Sequence, residues 1–324
     1  MSTQDVAGVY YGKELGKYGF SQGHPFSPLR LEAFWVAVQQ QQLHQQARVL
    51  TPRMALQQEI ERFHTPTYVE RVKQHSLSGA GFIDEGDTPA YTGIYEDAAY
   101  VVGSTLDAIE KIMHQDIRRA FVPIAGLHHA QKNRAAGFCV FNDCGVGIET
   151  LRQQYGIKRI IYVDIDAHHG DGVFYAYEAD PDLGIVDIHE DGRFLYPGTG
   201  HRDETGSGMA TGTKINIAAP PGGDDKFFMD IWPQAETFIR QFKPEFILLQ
   251  CGVDSIAEDP LTHLRYSPKI HGFVTHSLCR LAEQFSQGRI LALGGGGYNL
   301  ENIAAGWTAV LKAMIETPFR ATPR

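Results

Sequence analysis

The segment YVDIDAHHGDG, residues 162–172, places three carboxylates and two imidazoles within a few positions of one another. Its acidic residues are Asp164, Asp166 and Asp171, and its histidines are His168 and His169. An apolar run precedes the segment, so these side chains follow the end of a predicted buried strand. Carboxylates and imidazoles bind divalent metals and transfer protons, and their density here indicates one or both of these chemistries.

Three other apolar runs are followed by groups that could join this chemistry. Run 120–125 is followed by His128 and His129, run 245–251 by Asp254, and run 289–293 by four glycines and Tyr298. These segments are far apart in the chain. They can act together only if their strands lie side by side and point the same way.

The order of the predicted elements meets that condition. Strands are predicted near 120–125, 159–164, 183–188, 213–218, 245–251 and 289–293, helices near 29–42, 54–63, 66–75 and 95–113, and helix starts at Asp224-Asp225 and Ser267-Pro268. Alternating strands and helices predict an α/β fold with an open parallel sheet and helices on both faces. No Pro/Ser-rich linker interrupts the pattern, and we expect residues 1–324 to form a single domain.

Ligands of an open parallel sheet bind beyond the carboxyl ends of its strands, where these polar residues would meet. Two carboxylates and an imidazole suit a borderline divalent metal such as Zn²⁺ and leave one position for water. Zinc lowers the pKa of bound water to about 7, a nearby histidine can remove its proton, and a phenol can polarise a carbonyl. The combination predicts metal-assisted amide hydrolysis.

Each motif alone has a structural explanation. Segment 164–175 begins like a calcium-binding loop, but its glycine is seventh rather than sixth, and Tyr175 stands where that loop needs a glutamate. The paired histidines could be a hydrogen-bonded core pair, Asp254 could cap a turn, and Tyr298 could be a packed aromatic. Their joint position at strand ends favours the metal site.

Composition narrows the location and the partners. The chain has a formal net charge of −9, and its longest basic cluster is the pair Arg118-Arg119, so no nucleic-acid partner is expected. No signal-peptide pattern or stretch of about 20 apolar residues predicts a membrane segment. Cys139, Cys144, Cys251 and Cys279 lack CxxC spacing, and three lie in apolar segments, which indicates a reducing, cytoplasmic location. An oligomer is compatible with all of this.

Five segments resemble, in order, the zinc-dependent histone deacetylase family, part of the arginase-deacetylase superfamily. They are GLHHAQKNRAAGFCVFND, YVDIDAHHGDGVFYAY, FLYPGTG, CGVDSIAEDP and LALGGGGYN, and the resemblance extends from QGHPFSPLR to GGGGY. The family includes bacterial acetoin-utilisation proteins and acetylpolyamine amidohydrolases. The resemblance implies a hydrolase that removes acetyl or other acyl groups from the ε-amine of acyl-lysine in proteins or peptides by metal-activated water.

The resemblance also implies roles for individual residues. For metal binding it names Asp166, His168 and Asp254 as ligands of one Zn²⁺ (or Fe²⁺) per chain. For proton transfer it names His128 and His129 as general acid and base, with Asp164 and Asp171 as their carboxylate partners. Tyr298 is the group that polarises the carbonyl. For substrate binding it names Asp87 at the rim, Phe138, Tyr196, Gly137 and Gly296 along the channel, Leu261 beside it, and Arg30 in an internal acetate channel.

Two positions depart from the family pattern. Tyr196 stands where the family usually has phenylalanine, and its extra hydroxyl would alter which acyl chains fit. Asp187 replaces a serine beside a structural potassium site. The resemblance therefore implies a K⁺ near Asp164 with altered coordination.

Three other functions share parts of the pattern. Arginase-like ureohydrolases use a second metal, whose carboxylate positions are Gly170 and Gly252 here, so one metal is predicted. A non-catalytic metal-binding relative would not need the full set of histidines, aspartates and Tyr298. An acetylpolyamine amidohydrolase would benefit from a glutamate at Leu261 to pair with the second amine of its substrate. Acyl-lysine is therefore the predicted substrate, with small acylated amines as the alternative.

Overall fold

The structure is a computed structural model that describes residues 7–20, 23–84 and 86–319. Within these residues eight strands form one sheet in which every pairing is parallel. They are β1 Ala7–Tyr10, β2 Arg48–Leu50, β3 Arg119–Val122, β4 Ile160–Asp164, β5 Leu183–Glu190, β6 Lys214–Ala219, β7 Phe246–Gln250 and β8 Ile290–Leu293. Their order across the sheet is β2-β1-β3-β8-β7-β4-β5-β6, which confirms the predicted open parallel sheet.

The helices pack against this sheet in two groups. They are α1 Arg30–Gln40, α2 Gln57–Ile60, α3 Pro66–Ser78, α4 Ile94–Met113, α5 Asp143–Tyr155, α6 Asp171–Ala176, α7 Asp225–Phe242, α8 Pro268–Phe285 and α9 Leu300–Glu316. Helix α9 contacts both α1 and α8, helix α4 contacts α5, and both α4 and α9 contact β3. Phe121 of β3 packs edge-on against Phe34 of α1 and Trp307 of α9.

The register of the central strands brings their polar ends to one level. Asp164 at the end of β4 is the Cα partner of Gln250 in β7 and of Asp187 in β5. Gln250 pairs in turn with Leu293 of β8, which pairs with Val122 of β3. The strands that precede the candidate residues therefore end side by side.

The central strands are buried along their whole length. Strands β4 (IIYVD), β7 (FILLQ) and β8 (ILAL) have no exposed residue. Near-continuous apolar runs are typical of parallel strands covered on both faces. Asp164 and Gln250 are polar exceptions at the last strand positions, and buried polar groups need hydrogen-bond partners. Both find those partners among the polar residues beyond the strand ends.

Two helix predictions are longer than the helices observed. The helix predicted at 54–63 is limited to Gln57–Ile60 because the chain before it lies extended against α4, where the Ala55 N–H donates to the Ala99 carbonyl at 2.9 Å. The helix predicted at 29–42 ends at Gln40, since Gln42 adopts a left-handed conformation with φ 56°. The apolar periodicity therefore overestimates both helices, because a tertiary contact shortens the first and a left-handed residue ends the second.

The apolar pattern does not predict β1 and β2. Strand β2 has three residues, two of them exposed at the edge of the sheet, and β1 has four. Segments this short show no usable period, and they form strands because β1 is hydrogen-bonded between β2 and β3.

The described part of the chain contains no helix with both the length and the apolar content to cross a bilayer.

Candidate metal and catalytic site

Asp166, His168 and Asp254 form a compact group beyond the ends of β4 and β7. One potential ligand atom from each lies within 4.8 Å of the others, and all three residues are buried. His168 Nδ1 is 3.1 Å from Asp166 Oδ1 and 3.1 Å from Asp254 Oδ2. Ligand atoms about 2.1 Å from a tetrahedral zinc ion would lie about 3.4 Å apart. The three predicted ligands therefore converge at a spacing that suits such an ion.

Each carboxylate of this group has one oxygen bound by other parts of the protein and the other directed at His168, whose backbone N–H also donates to Asp166 Oδ1 at 3.0 Å. Asp166 Oδ2 accepts hydrogen bonds from the Gln250 side chain and the Gly296 N–H, both at 2.8 Å. Asp254 Oδ1 accepts from the Ala167 N–H at 2.8 Å. The other oxygen of each carboxylate faces His168 Nδ1. The orientation of both carboxylates is therefore set before any metal binds.

Two glycines make room for these carboxylates. A Cβ at Gly296 would lie 2.1 Å from Asp254 Oδ2, and a Cβ at Gly252 would lie 1.9 Å from Asp166 Oδ2. A side chain at either position would displace a candidate ligand. Gly252 is also where the second metal of a ureohydrolase would need its carboxylate, and the close packing there favours a one-metal site.

Without a metal ion, only bound protons can offset the two buried carboxylates of this group. Burial and the nearby Asp166 raise the pKa of Asp254 to about 7. Burial lowers the pKa of His168, but Asp166 and Asp254 raise it by more, to about 10. Two buried carboxylates directed at one imidazole nitrogen would be compensated by a divalent cation, so the donor set fits a metal ion such as Zn²⁺.

His128 and His129 lie beside the metal donors with their rings in contact. His128 Nε2 and His129 Nε2 are 3.1 Å apart. His128 Nδ1 is 2.8 Å from Asp164 Oδ2, and His129 Nδ1 is 2.7 Å from Asp171 Oδ1. Each histidine is thus paired with the carboxylate expected from the sequence.

These contacts determine how the histidine pair shares its protons. Each Nδ1 donates to a carboxylate, and the contact between the Nε2 atoms needs one proton, so the pair carries one positive charge. Burial lowers the pKa of His128, but Asp164 and Asp166 raise it by more, to about 9. Burial and the charge on His128 lower the pKa of His129 to about 4. Without a metal ion, these shifts favour the proton on His128 and leave His129 neutral.

Asn142 and His64, which sequence reasoning did not single out, hold the backbone around the histidine pair. The Asn142 side-chain amide donates to the carbonyls of His128 at 3.3 Å and Ala130 at 2.8 Å. His64 Nε2 accepts the Asn142 N–H at 2.8 Å, and His64 Nδ1 lies 3.3 Å from the Lys132 carbonyl. His64 is therefore a neutral, buried support for Asn142.

Asp143 supports the same loop from its other end. Its Oδ1 accepts the N–H groups of Gly126 at 3.0 Å and Leu127 at 2.8 Å, and its Oδ2 accepts from the Thr105 hydroxyl at 2.9 Å. An Asn-Asp pair ahead of a helical pattern predicts a helix cap, and Asn142 does cap α5 by accepting the Gly145 N–H. The cap could be found from the sequence, whereas the contacts to the loop could not.

Tyr298 joins the site from the loop after β8. Its N–H donates to Asp259 Oδ2 at 2.9 Å, and its ring packs edge-on against Phe138 with ring centres 5.9 Å apart. Burial and the carboxylates of Asp254 and Asp166 raise the pKa of its phenol well above the ordinary value. The hydroxyl therefore stays protonated and available as a donor.

Tyr196, Phe138 and Gly137 border the approach to His129. The Tyr196 ring packs edge-on against His129 with centres 5.1 Å apart, and 46% of the tyrosine is exposed. Gly137 has φ 53°, and a Cβ there would lie 2.5 Å from the His129 ring. Gly137 also borders both the inner space beside the metal donors and a larger outer cavity. It therefore marks the passage between the two.

Asp87 lies at the outer end of this passage. Together with Gly137 and Tyr196 it lines the outer cavity, whose volume is about 950 Å³. Burial and the neighbouring Asp84 raise the pKa of Asp87 to about 7. The predicted rim residue is thus exposed at the space where a substrate would enter.

Leu261 belongs to a loop tied to the catalytic centre. Its N–H donates to Asp259 Oδ1 at 3.0 Å, and the neighbouring Thr262 hydroxyl hydrogen-bonds to the Asp254 carbonyl. Since Asp259 also holds Tyr298, both of its oxygens are engaged. Leu261 itself is 36% exposed.

Arg30 is fully buried behind the glycine-rich loop. Its Nε donates to the Gly297 carbonyl at 3.0 Å, Nη2 donates to the Gly295 carbonyl, and the guanidinium lies 4.0 Å from the Phe26 ring centre. Within the described ranges, its Nη1 has no hydrogen-bond partner. A buried cation with a free donor is suited to bind an anion.

Asp187, at the predicted potassium site, is paired with a cation of the protein itself. Its Oδ1 is 2.7 Å from His189 Nδ1, and its Oδ2 accepts the Gly170 N–H at 2.9 Å. His189 Nε2 is 2.9 Å from the Gly200 carbonyl, so both ring nitrogens face acceptors. Burial lowers the pKa of His189, but Asp187 raises it by more. The K⁺ expected near Asp164 stays a prediction.

Comparisons with known proteins identify the family to which this chain is similar. A sequence model of the histone deacetylase domain matches residues 24–314. The acetoin utilization protein AcuC of Bacillus subtilis (strain 168) is 36% identical over 301 residues, which cover 90% of this chain and 77% of that protein. AcuC of Staphylococcus xylosus is 32% identical over 323 residues, covering 97% and 84% respectively. The crystal structure of the HDA15 HD domain is similar with a TM-score of 0.87 at 27% identity, covering 98% of this chain and 92% of that one.

Proposed function

Because the chain belongs to the histone deacetylase family and is a deacetylase that hydrolyses amides, we propose that it removes acyl groups from the ε-amine of lysine in proteins or peptides with one zinc ion per chain. The observation that carries this proposal is the meeting of one complete set of metal donors with a carboxylate-bound histidine pair. A buried site with these groups has what is needed to activate water, move its proton and bind a carbonyl.

Asp166, His168 and Asp254 are the residues that would hold the ion. When bound there, zinc would supply the Lewis acidity that lowers the pKa of water and polarises the amide carbonyl. Fe²⁺ accepts the same donor types and is the second candidate. The tight packing at Gly252 supports one ion rather than two.

We assign proton transfer to the histidine pair. His129 is neutral and accepts a proton from the water that attacks the carbonyl carbon, while His128 keeps its charge and stabilises the developing negative charge. Asp171 and Asp164 bind the Nδ1 atoms and so direct both Nε2 atoms to one place. The departing amine takes up the transferred proton, and the products are the lysine amine and a carboxylic acid.

Tyr298 and Arg30 are assigned to the oxygen atoms of the acyl group. The protonated Tyr298 hydroxyl donates to the carbonyl oxygen as negative charge develops on it. Arg30 carries a buried Nη1 that lacks a partner among the described residues, and it would bind the carboxylate product on its way out.

The entrance favours acyl-lysine over an acylated polyamine. Phe138 and Tyr196 offer aromatic surface to the apolar stem of a lysine, and Asp87 can accept hydrogen bonds from the N–H groups of a peptide. A polyamine would bring a second cation, but Leu261 offers it no charge and Asp259 already uses both oxygens on backbone N–H groups. These features support a peptide substrate.

We propose a reducing, cytoplasmic location and no nucleic-acid partner. The four cysteines are buried and unpaired, and the net charge is −9. A negative chain repels polyanions, and thiols without partners persist in reducing compartments.

The direct test is to incubate the zinc-loaded protein with an acetyl-lysine peptide and measure acetate release. Acetylspermidine, acetylputrescine, arginine and agmatine serve as competing substrate classes under the same conditions. We expect the highest kcat/KM for the peptide and no urea from arginine or agmatine. A much higher kcat/KM for the polyamines would overturn the substrate assignment, and no turnover of any acylated amine would favour a non-catalytic relative.

A further inference from the structure

The outer cavity carries two arginines that the proposed function does not use. Arg71 of α3 and Arg134 of the loop before Gly137 line the cavity of about 950 Å³ that Asp87 and Tyr196 also border. Arg71 Nη2 donates to the Asn133 carbonyl at 2.8 Å, which ties α3 to the loop that carries Arg134. The two guanidinium groups thus belong to one stabilised wall of the entrance.

The Arg134 guanidinium forms no ion pair within the part of the chain that the structure describes. Among the described residues its side chain has no hydrogen-bond or ion-pair partner, and only its backbone carbonyl is engaged, with the Gln131 N–H at 2.9 Å. Arg71 donates from one nitrogen to a neutral carbonyl, and no carboxylate of the described residues lies at ion-pair distance from it. A guanidinium that lines a cavity without a partner is well suited to a planar anion such as a carboxylate.

Among the described residues, no carboxylate that lines this cavity forms an ion pair with either arginine. Asp84 Oδ1 accepts three backbone N–H groups, from Gly86, Asp87 and Thr88, at 2.9 to 3.0 Å. Asp171 is bound to His129 at 2.7 Å. Of the cavity's carboxylates, those of Asp84 and Asp171 are therefore committed to the protein, while both arginines keep donors for a ligand.

Arg134 lies close enough to the passage to contact residues that neighbour an acyl-lysine in a peptide substrate. Arg134 is three residues from Gly137, and three residues span at most about 11 Å. In an extended peptide, the two residues next to an acyl-lysine reach about 7 Å, and their side chains extend further. A carboxylate within two residues of an acyl-lysine in the passage can therefore reach Arg134.

We propose that Arg71 and Arg134 form an anion-binding subsite that selects acyl-lysine substrates with a carboxylate within two residues of the modified lysine. This inference rests on the proposed function and specifies its substrate class. The carboxylate can come from an aspartate or glutamate beside the lysine or from the α-carboxylate of a C-terminal acyl-lysine. Both present the same planar anion to the guanidinium groups.

The test compares matched acetyl-lysine peptides on the zinc-loaded enzyme. One set carries Asp, Asn or Lys next to the acetyl-lysine, and a second set ends in acetyl-lysine as the free acid or the amide. Exposed ion pairs of this kind change binding by up to about fivefold. We expect kcat/KM to be about threefold to fivefold higher for Asp than for Asn, lower again for Lys, and the difference to shrink at high ionic strength.

The variants separate the subsite from general charge effects. Arg134→Gln and Arg71→Gln should each reduce the preference for the peptide carboxylate, and the double variant should abolish it. Lys132→Gln removes the same charge two residues from Arg134, but Lys132 lies outside the cavity, with its ammonium 5.7 Å from the Phe63 ring centre. This control should keep the preference.

The outcomes are distinct. Preference for the Asp peptide alone assigns the subsite to side chains, and preference for the free acid alone assigns it to the terminal carboxylate. Equal rates for all peptides would overturn the subsite while leaving the deacetylase proposal intact, as would a preference lost equally in Lys132→Gln. An enzyme inactive on every peptide would overturn both.

Discussion

The inner and outer parts of this site are built differently. At the inner end, Asp164, Asp166 and Asp254 are essentially inaccessible to solvent, and each is hydrogen-bonded by the protein. At the outer end, Tyr196 and Leu261 are exposed by 46% and 36%, and the cavity wall carries two arginines that form no ion pair with any described residue. The inner residues are oriented before a substrate arrives, whereas the outer residues are exposed and become covered only when a substrate binds.

This difference predicts how substitutions will behave. Removing one member of a buried charged network leaves its partners uncompensated and typically costs about 3–5 kcal/mol, whereas an exposed pair contributes about 0.2–1 kcal/mol. Changes at the inner end should therefore reduce turnover of every substrate. Changes at the outer end should alter which substrate is preferred.

The largest effect is expected at the metal donors. Asp166→Ala and Asp254→Ala should abolish activity through metal loss, because each removes one of three donors and leaves the other charges uncompensated. Metal analysis of the purified variants, beside circular dichroism to confirm folding, checks this. A folded variant that keeps both its metal and its activity would contradict the ligand assignment.

The next effect separates proton transfer from metal binding. His129→Ala should retain the metal, because the ring is hydrogen-bonded to Asp171 and His128 rather than to the donor group, and should lower kcat by about 10²–10⁴-fold. Metal content and kcat are measured on the same preparation. Loss of the metal with the histidine would mean that the donor set is wrong.

Tyr298→Phe should have a smaller but still large effect. The variant keeps the ring that packs on Phe138 and the backbone bond to Asp259, and loses only the hydroxyl. Loss of one donor aimed at a developing oxyanion typically lowers kcat by about 10²–10³-fold. Unchanged turnover, with metal and thermal stability retained, would leave the tyrosine a packing role only.

The smallest effect belongs to the outer end and concerns selectivity. Leu261→Glu should shift the ratio of kcat/KM toward acetylspermidine and away from the acetyl-lysine peptide, because the new carboxylate can pair with the second amine. Leu261→Gln is the matched control without charge. An equal ratio of kcat/KM for the two substrates in both variants would show that the charge at position 261 does not affect substrate selection.

The apolar runs predict that the histidines and aspartates that follow them meet at the ends of adjacent parallel strands. Which of these residues are metal donors, and which carboxylate pairs with which histidine, is implied by the resemblance to the family. The sequence does not predict the contact of His64 with Asn142, which joins residues 78 apart through a backbone N–H and leaves no pattern in the chain. The same limit applies to β2, whose strand state depends on its pairing with β1. Periodicity thus identifies the residues at the ends of buried strands, whereas tertiary contacts decide how those residues are supported.

The proposed mechanism depends most directly on one metal ion in one complete donor set. The decisive measurement is to remove metal with a chelator, add zinc in fractions of an equivalent, and follow hydrolysis of an acetyl-lysine peptide. We predict no activity without metal, a linear rise, and saturation at one equivalent per chain. Full activity of the metal-free protein, or a requirement for two equivalents, would contradict the mechanism.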